Sequence, residues 1–343
     1  MLMPGGNRMD ELRTIDYHTA GEPFRIVVDG APVPDGLTVL DRRSAAATGE
    51  LDGLRALLCN EPRGHADMYG GFLVPPNDAQ GDLGVLFWHK DGFSTACGHG
   101  TIALATYAVD EGLVFAEESG DTNVVIDVPS GRVAAIVHRE DGIVQHVRFV
   151  NVPSFVCATQ VRVETELGPV NADLSYGGAI YASVCASDLG LHVTPEHLPE
   201  LIRIGRHIKW ALNDHASAQH PTDARLSGVY GTIWFDDVSD DDHALHQRNC
   251  TVFADGEVDR SPCGSGTSAR LALLAAHGRV NPEKPLVHES IIGTQFIGTV
   301  LRTTTEGSRT AVITQVQGSA YRTGEHSFVL DPRDPLGNGF QLR

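Results

Sequence analysis

Two stretches of the chain, CGHGTIALATYAVDEG at 97–112 and CGSGTSARLALLAAHG at 263–278, share one frame. Each opens Cys-Gly-x-Gly-Thr-x-Ala and closes on a Gly fifteen residues after its cysteine, and six of the sixteen positions are identical. A Gly-rich turn feeding an apolar run reads as the start of a buried helix, with Gly112 and Gly278 as the stops. Two such helices with matched cysteines predict an internal duplication. The echo extends upstream, where Phe87 and Phe253 each stand ten residues before the cysteine. Two unrelated glycine-bracketed helices are the bland alternative.

Short β-type runs bounded by turn residues surround these helices, among them 12–18, 24–28, 83–89, 123–128, 132–138 and 143–150 in the first half. The second half offers 179–185, 228–235, 249–255, 296–304 and 310–316. Further helical spacing occurs at about 43–58 and at 195–214. The expected fold class is therefore α/β (α+β): two similar halves facing each other, each with several strands around one central helix. The expected halves are 10–165, joined by the C-terminal segment 325–343, and 166–324, with the junction inside 155–178.

A chain of 343 residues exceeds what one hydrophobic core usually fills, which agrees with two domains. A net charge of −18 argues against nucleic-acid or anionic-membrane partners, since both need clustered Lys and Arg. No apolar run is long enough to span a membrane, and the leader MLMPGGNRMDEL lacks a secretory pattern, with Met9 an alternative start. A cytoplasmic location is expected. Only three lysines occur, Lys90, Lys209 and Lys284, so candidates for a Schiff-base cofactor are few. Six cysteines without CxxC pairs form neither a disulfide framework nor a zinc-finger spacing. Cys59, Cys157, Cys185 and Cys250 lie in apolar surroundings and read as packing.

Cys97 and Cys263 differ because each precedes a helix N-terminus. Such an end carries partial positive charge and unpaired N–H groups, which favour a thiolate and can hold a carboxylate. Two of these turns facing one ligand would place a base on one side of a carbon and an acid on the other. That is what inversion of a stereocentre requires. The helix ends would then stabilise the enediolate that forms. A cysteine hydrolase using His99 or His65 remains open, but it has no use for a second matched cysteine. A zinc site lacks paired His spacing, and a carboxylate-binding protein would leave both cysteines unexplained.

These residues resemble the two signature motifs of the proline racemase family: Cys97-Gly98-His99-Gly100, and Asp259-Arg260-Ser261-Pro262-Cys263-Gly264-Ser265-Gly266-Thr267. DYHTAGEP at 16–23, EPRGH at 61–65, DMYG at 67–70, YGGA at 176–179 and ESIIGT at 289–294 agree with it, so the resemblance covers about 12–340. It implies the fold of diaminopimelate epimerase: two pseudo-symmetric domains, each a barrel-like sheet around a central helix, with the site in the cleft between them. It implies no cofactor and no metal, a small amino-acid substrate, and a homodimer as a possible assembly. By resemblance, Cys97 and Cys263 are the acid/base pair. The backbone of Gly98, His99, Gly264 and Ser265 would bind the carboxylate, and Asp259 would contact the ring nitrogen. Tyr69 and Phe253 would wall the pocket, although core packing would also suit them.

Three activities share this scaffold: proline racemisation, 4-hydroxyproline 2-epimerisation and trans-3-hydroxy-L-proline dehydration. The N-terminal half resembles the dehydratases, yet that branch usually has Thr where this chain has Cys263. Dehydration needs no second thiol, whereas inversion does. The expected activity is therefore conversion of trans-4-hydroxy-L-proline to cis-4-hydroxy-D-proline, with the other two as alternatives. His65, His99 and Tyr69 are candidate contacts to a ring hydroxyl, and His215 and His220 are weaker candidates for substrate contact.

Overall fold

Where Gly, Asp and Asn interrupt the apolar runs, the chain folds back into strands, and the two Cys-Gly turns open helices between them. The computed structural model describes residues 11–342. The leader up to residue 10, with Met9, lies outside the described residues. β1 (Leu12–Thr19) and β2 (Glu22–Asp29) are followed by α1 (Val39–Ala46), α2 (Glu50–Cys59), β3 (Gly70–Val74), β4 (Leu83–His89) and β5 (Gly92–Phe93). Then come α3 (Gly98–Asp110), β6 (Gly120–Val128), β7 (Gly131–Glu140) and β8 (Ile143–Val150). β9 (Ser154–Thr165), β10 (Gly168–Tyr176), β11 (Ile180–Cys185), α4 (Leu198–Leu212), β12 (Val229–Asp240), β13 (Leu245–Phe253) and β14 (Glu257–Asp259) open the second half. α5 (Gly264–Ala276), β15 (Leu286–Ser290), β16 (Gln295–Glu306), β17 (Arg309–Gly318) and β18 (Ala320–Phe328) complete it.

The pairing pattern occurs twice. In the first half, β1–β2, β3–β4, β4–β5, β6–β7 and β7–β8 are antiparallel, while β2–β3 and β4–β6 are parallel. In the second, β10–β11, β12–β13, β13–β14, β15–β16 and β16–β17 are antiparallel, while β11–β12 and β13–β15 are parallel. Position by position this is the same path, with α3 and α5 inserted at the same point. The halves also exchange a strand. β9 follows β8 but pairs with β10 and β17, and β18 follows β17 but pairs with β1. With the β8–β17 pairing these crossings join all 18 strands into one hydrogen-bonded network. On this pairing we propose that the halves exchange at 151–153 and at Ser319, somewhat ahead of the expected 165/166 and 324/325.

Each barrel-like sheet encloses its helix, as expected from the resemblance. β1, β2, β6, β7, β8, β17 and β18 pack on α3, and β9, β10, β11, β16 and β17 pack on α5. Every residue of α3 from Gly98 to Val109 is buried, as is every residue of α5 from Gly264 to Leu274. Full burial of each Leu or Ile contributes about 1.5–3 kcal/mol, so these helices are held by their sheets rather than by propensity. Gly112 and Gly278 take φ of 68° and 69° just past the helix ends, the left-handed stops that the repeat predicts.

The helix expected at 43–58 is two helices, because Gly49 adopts extended dihedrals and caps α2 instead of continuing α1. Cys59 and Cys250 are buried as expected, whereas Cys157 and Cys185 are only half-buried. Among the described residues no helix is long and apolar enough to cross a membrane.

Candidate active site

The N-termini of α3 and α5 meet backbone to backbone. A β-carbon built on Gly98 would lie 2.5 Å from the Cα of Gly264 and 2.7 Å from the nitrogen of Ser265. No side chain fits there, so both positions require glycine for close approach. The second glycine of each motif has its own task. A β-carbon on Gly100 would stand 2.8 Å from the Cys97 sulfur, and one on Gly266 would stand 2.8 Å from the Cys263 sulfur. Each sulfur therefore rests over the first turn of its own helix. Cys97 caps α3 and accepts a hydrogen bond from the Gly100 N–H at 3.2 Å. Cys263 turns into α5 with φ 61° and ψ 98°, a conformation that costs a non-glycine residue on the order of 1–3 kcal/mol.

Both thiols are buried, at 4% exposure for Cys97 and 6% for Cys263. Burial pushes the Cys97 thiol well up, against the Gly100 N–H that favours the thiolate, and Asp259 and the Cys263 sulfur add to the rise. Burial likewise raises Cys263, with Asp259 next in importance. The helix ends alone predict the opposite direction. In this buried site the loss of solvation outweighs them, and the shift of both thiols is upward.

The other residues expected at the site converge on this point, whereas His65, His215 and His220 do not; His215 caps the Ala216–Ala218 turn. The His99 ring lies 3.4 Å from the Cys97 sulfur through Nε2, and its Nδ1 is 3.8 Å from Asp259 Oδ2. Burial lowers the His99 pKa to about 3, so the ring is neutral. Asp259 is buried and accepts from the Ser261 N–H at 2.8 Å and the Ser261 hydroxyl at 2.7 Å, yet burial still raises it. Tyr69 meets His99 edge to face at 4.9 Å between centroids, and Phe253 packs on Tyr69 at 5.8 Å. The Ser265 hydroxyl is 2.7 Å from the Tyr181 hydroxyl, which lies 3.7 Å from the Cys263 sulfur. His65 lines a separate open groove with Gly21, Pro23 and Arg260, and His220 meets Tyr176 in a tilted contact at 4.7 Å between centroids.

The proline racemase family profile matches residues 14–341. The chain belongs to the proline racemase family. It is thereby an enzyme of the racemase and epimerase class. A trans-3-hydroxy-L-proline dehydratase of Bacillus cereus is 43% identical over 330 residues, spanning 96% of this chain and 97% of its own. A 3-hydroxyproline 2-epimerase of Burkholderia multivorans is 45% identical over 333 residues, spanning 97% and 98%. Among solved structures, a hydroxyproline epimerase of Agrobacterium vitis with bound trans-4-hydroxy-L-proline superposes with a TM-score of 0.91. It is 34% identical and covers 98% of this chain and 97% of its own.

Several residues of this racemase-family site carry no mark in the sequence. Tyr181 and Tyr230 sit in ordinary strand runs and reach the site only because β11 and β12 pair. The Tyr69 hydroxyl bonds the Ser94 hydroxyl at 2.5 Å and the Tyr230 hydroxyl at 3.1 Å. Glu22 is fully buried, accepts from the Arg260 N–H at 2.7 Å and leaves its second oxygen without a partner. The TAGEP turn around it was the available signal. His89, Asp91 and Glu257 form the one described group with metal-ligand spacing, within 4.8 Å of one another. One oxygen of each carboxylate is engaged: the Lys90 N–H bonds Glu257 Oε1 at 3.0 Å and the Asp255 N–H bonds Asp91 Oδ2 at 2.9 Å. A cation there would also face the Lys209 ammonium, which feels both carboxylates.

Proposed function

We propose that this chain inverts Cα of a hydroxyproline without a cofactor, using Cys97 and Cys263 as the base/acid pair. The observation that carries the reading is Cys263: a second buried thiol at the start of α5, whose charge acts on the thiol at the start of α3 across the Gly98–Gly264 contact. One cysteine, deprotonated, takes the Cα proton. The other gives its proton to the opposite face, and the reverse reaction exchanges their roles. Titration belongs to the pair rather than to either sulfur. The N–H groups of Gly98, His99, Gly264 and Ser265 would hold the carboxylate as it gains enediolate character, where fixed donors act most strongly. Asp259 would accept from the ring nitrogen, and Tyr69 and Phe253 would bound the ring.

The hydroxyl position follows the relatives. Those at 43% and 45% identity are named for 3-hydroxyproline, while the structure holding the 4-hydroxy compound is 34% identical. We therefore move the preferred hydroxyl from C4, the expectation from the residues, to C3. Dehydration is the second reading, favoured by the dehydratase names among the relatives. Both outcomes begin with loss of the Cα proton to a cysteine. They part afterwards: protonation from the other face gives the epimer, whereas protonation of the C3 hydroxyl and its departure as water gives the C2=C3 enamine, which tautomerises to Δ1-pyrroline-2-carboxylate. A thiol at position 263 favours the first.

Proton NMR in D2O with L-proline, trans-4-hydroxy-L-proline and trans-3-hydroxy-L-proline tests this. Loss of the α-proton signal with growth of the 2-epimer from the 3-hydroxy compound is expected. Quantitative formation of the pyrroline acid would assign the chain to dehydration instead. Cys263→Ser should abolish the epimer, whereas a dehydratase would keep most of its rate.

A further inference from the structure

A cleft of about 590 Å³ opens between the two halves on the far side of the aromatic wall. Arg43, His89, Asp91 and Ser94 come from the first half, and Arg206, Lys209, Arg225 and Tyr230 from the second. Ser94 and Tyr230 are the two hydroxyls bound to Tyr69, so the cleft ends where the thiol pocket begins. Its cations differ in one respect. Arg206 is held by Asp255 at 2.6 Å, Arg225 by Asp41 at 2.9 Å and Asp223 at 2.7 Å, and Arg43 donates to the Phe93 and Ser94 carbonyls. Lys209, on α4, makes no ion pair or hydrogen bond among the described residues. Its ammonium lies 3.3 Å from the centroid of the Trp210 ring.

Lys209 is 7% exposed, so its charge is largely desolvated, and no carboxylate among the described residues bonds it directly. Burial accordingly lowers its pKa, with Asp255, Asp91 and Glu257 opposing the fall. Asp255 binds Arg206 and the Trp210 indole N–H, and Glu257 accepts from the Lys90 N–H through Oε1 while its Oε2 has no hydrogen-bond partner. Asp91 is exposed in the cleft mouth and uses one oxygen on the Asp255 N–H. An unpaired ammonium, a carboxylate with capacity to spare, and the apolar faces of Phe93, Ile180 and Leu226 fit a zwitterion with an apolar ring. A zwitterion carries no net charge, so the local charges of the cleft, rather than the chain's −18, decide whether and how it docks.

We propose that this cleft is the vestibule through which the amino-acid substrate reaches the two thiols, with Lys209 docking its carboxylate and Asp91 its ammonium. The inference rests on the reading that the substrate is a proline-type amino acid. Passage onward runs past the Tyr69, Ser94 and Tyr230 hydroxyls, which must part to admit it. Lys209 touches no reacting atom in this scheme and acts only on arrival.

The test compares native enzyme with Lys209→Met, which keeps the apolar stem, and Lys209→Arg, which keeps the charge. In Cα–H exchange, Lys209→Met should lower kcat/KM by about tenfold with kcat retained, and should flatten the decline of kcat/KM with added salt. Lys209→Arg should recover most of the loss. An unchanged kcat/KM in Lys209→Met, or a kcat that falls in proportion, would overturn the vestibule. The failure of the activity itself is read separately, from stopped-flow binding of pyrrole-2-carboxylate followed by tryptophan fluorescence. If no proline-type compound exchanges but Lys209→Met still slows association, the docking role stands and the substrate reading falls. If exchange proceeds and association is unaltered, the docking role alone falls.

Discussion

A β-carbon on Gly264 would lie 2.7 Å from the Cα of Gly98, and one on Gly98 would lie 2.5 Å from the Cα of Gly264. The two central helices thus touch through the only residue without a side chain. Their positive ends face one another, an arrangement that is unfavourable until an anion sits between or beside them. The same contact that costs stability creates the carboxylate site.

Gly98→Ala should force those ends apart by a fraction of an ångström to an ångström. Misplacement on that scale can cost on the order of 100-fold in rate, so exchange should fall by about that factor with a clear drop in Tm. Gly53→Ala is the contrast. Gly53 lies inside α2, and a β-carbon there meets nothing within 4 Å. That change should stabilise the protein by roughly 0.5–1 kcal/mol and leave exchange alone. Equal activity in the two variants would remove the helix contact from the catalytic argument.

Acid should destabilise the fold through buried imidazoles. Burial lowers His288 to about 3, and its Nδ1 shares a 2.8 Å hydrogen bond with the Thr267 hydroxyl. A group depressed from an unfolded value of about 6.5 contributes stability that is present above that pH and is lost as pH falls toward 3. The loss runs at roughly 1.4 kcal/mol per pH unit for each such group, and His99 adds to it. Urea midpoints at pH 7, 5.5 and 4.5 should fall more steeply in the native protein than in His288→Asn, which keeps a partner for Thr267. Parallel slopes would mean that His288 does not titrate in this window.

Glu22 should behave as a neutral acid. Burial raises it well above the usual carboxylate range, and Asp259 raises it further, against Arg260. Glu22→Gln preserves shape and the acceptor for the Arg260 N–H, so it should change stability by under about 1 kcal/mol. Glu22→Ala removes that acceptor and leaves a void, and should cost about 2–4 kcal/mol with loss of exchange. Matching losses in thermal melts of the two variants would show that the ionised form is what the fold requires.

What could be read in advance divides along a physical line. The repeat announced both central helices, because sequence spacing alone sets a turn, an apolar run and a glycine stop. It carried Cys97, Gly98, His99, Gly264 and Ser265 with it. Tyr181, Tyr230 and Ser94 gave no warning, since their proximity to Tyr69 arises from strands paired across long separations. β9 and β10 were also silent, because their exposed residues break the apolar alternation. The direction of the thiol shifts was misjudged for a related reason. A helix end is visible in sequence, but the burial that outweighs it is a property of the fold.

Tyr69→Phe separates the shape of the pocket wall from its chemistry. The ring keeps its contacts with His99 at 4.9 Å and Phe253 at 5.8 Å, while Ser94 and Tyr230 lose their shared partner. One buried and one half-buried hydroxyl are then left free to rotate and to compete for the substrate's own hydroxyl. Sites built to hydrogen-bond a hydroxyl discriminate strongly, because unmatched polar groups are costly when buried. If the hydroxyl trio reads the substrate's hydroxyl, the ratio of kcat/KM for hydroxyproline over proline should fall by about tenfold or more in the variant. Steady-state exchange rates with both substrates measure it. A uniform fall, with the ratio unchanged, would mean that the three hydroxyls only hold the wall in place, and that preference for a ring hydroxyl must come from the residues around Cys263 instead.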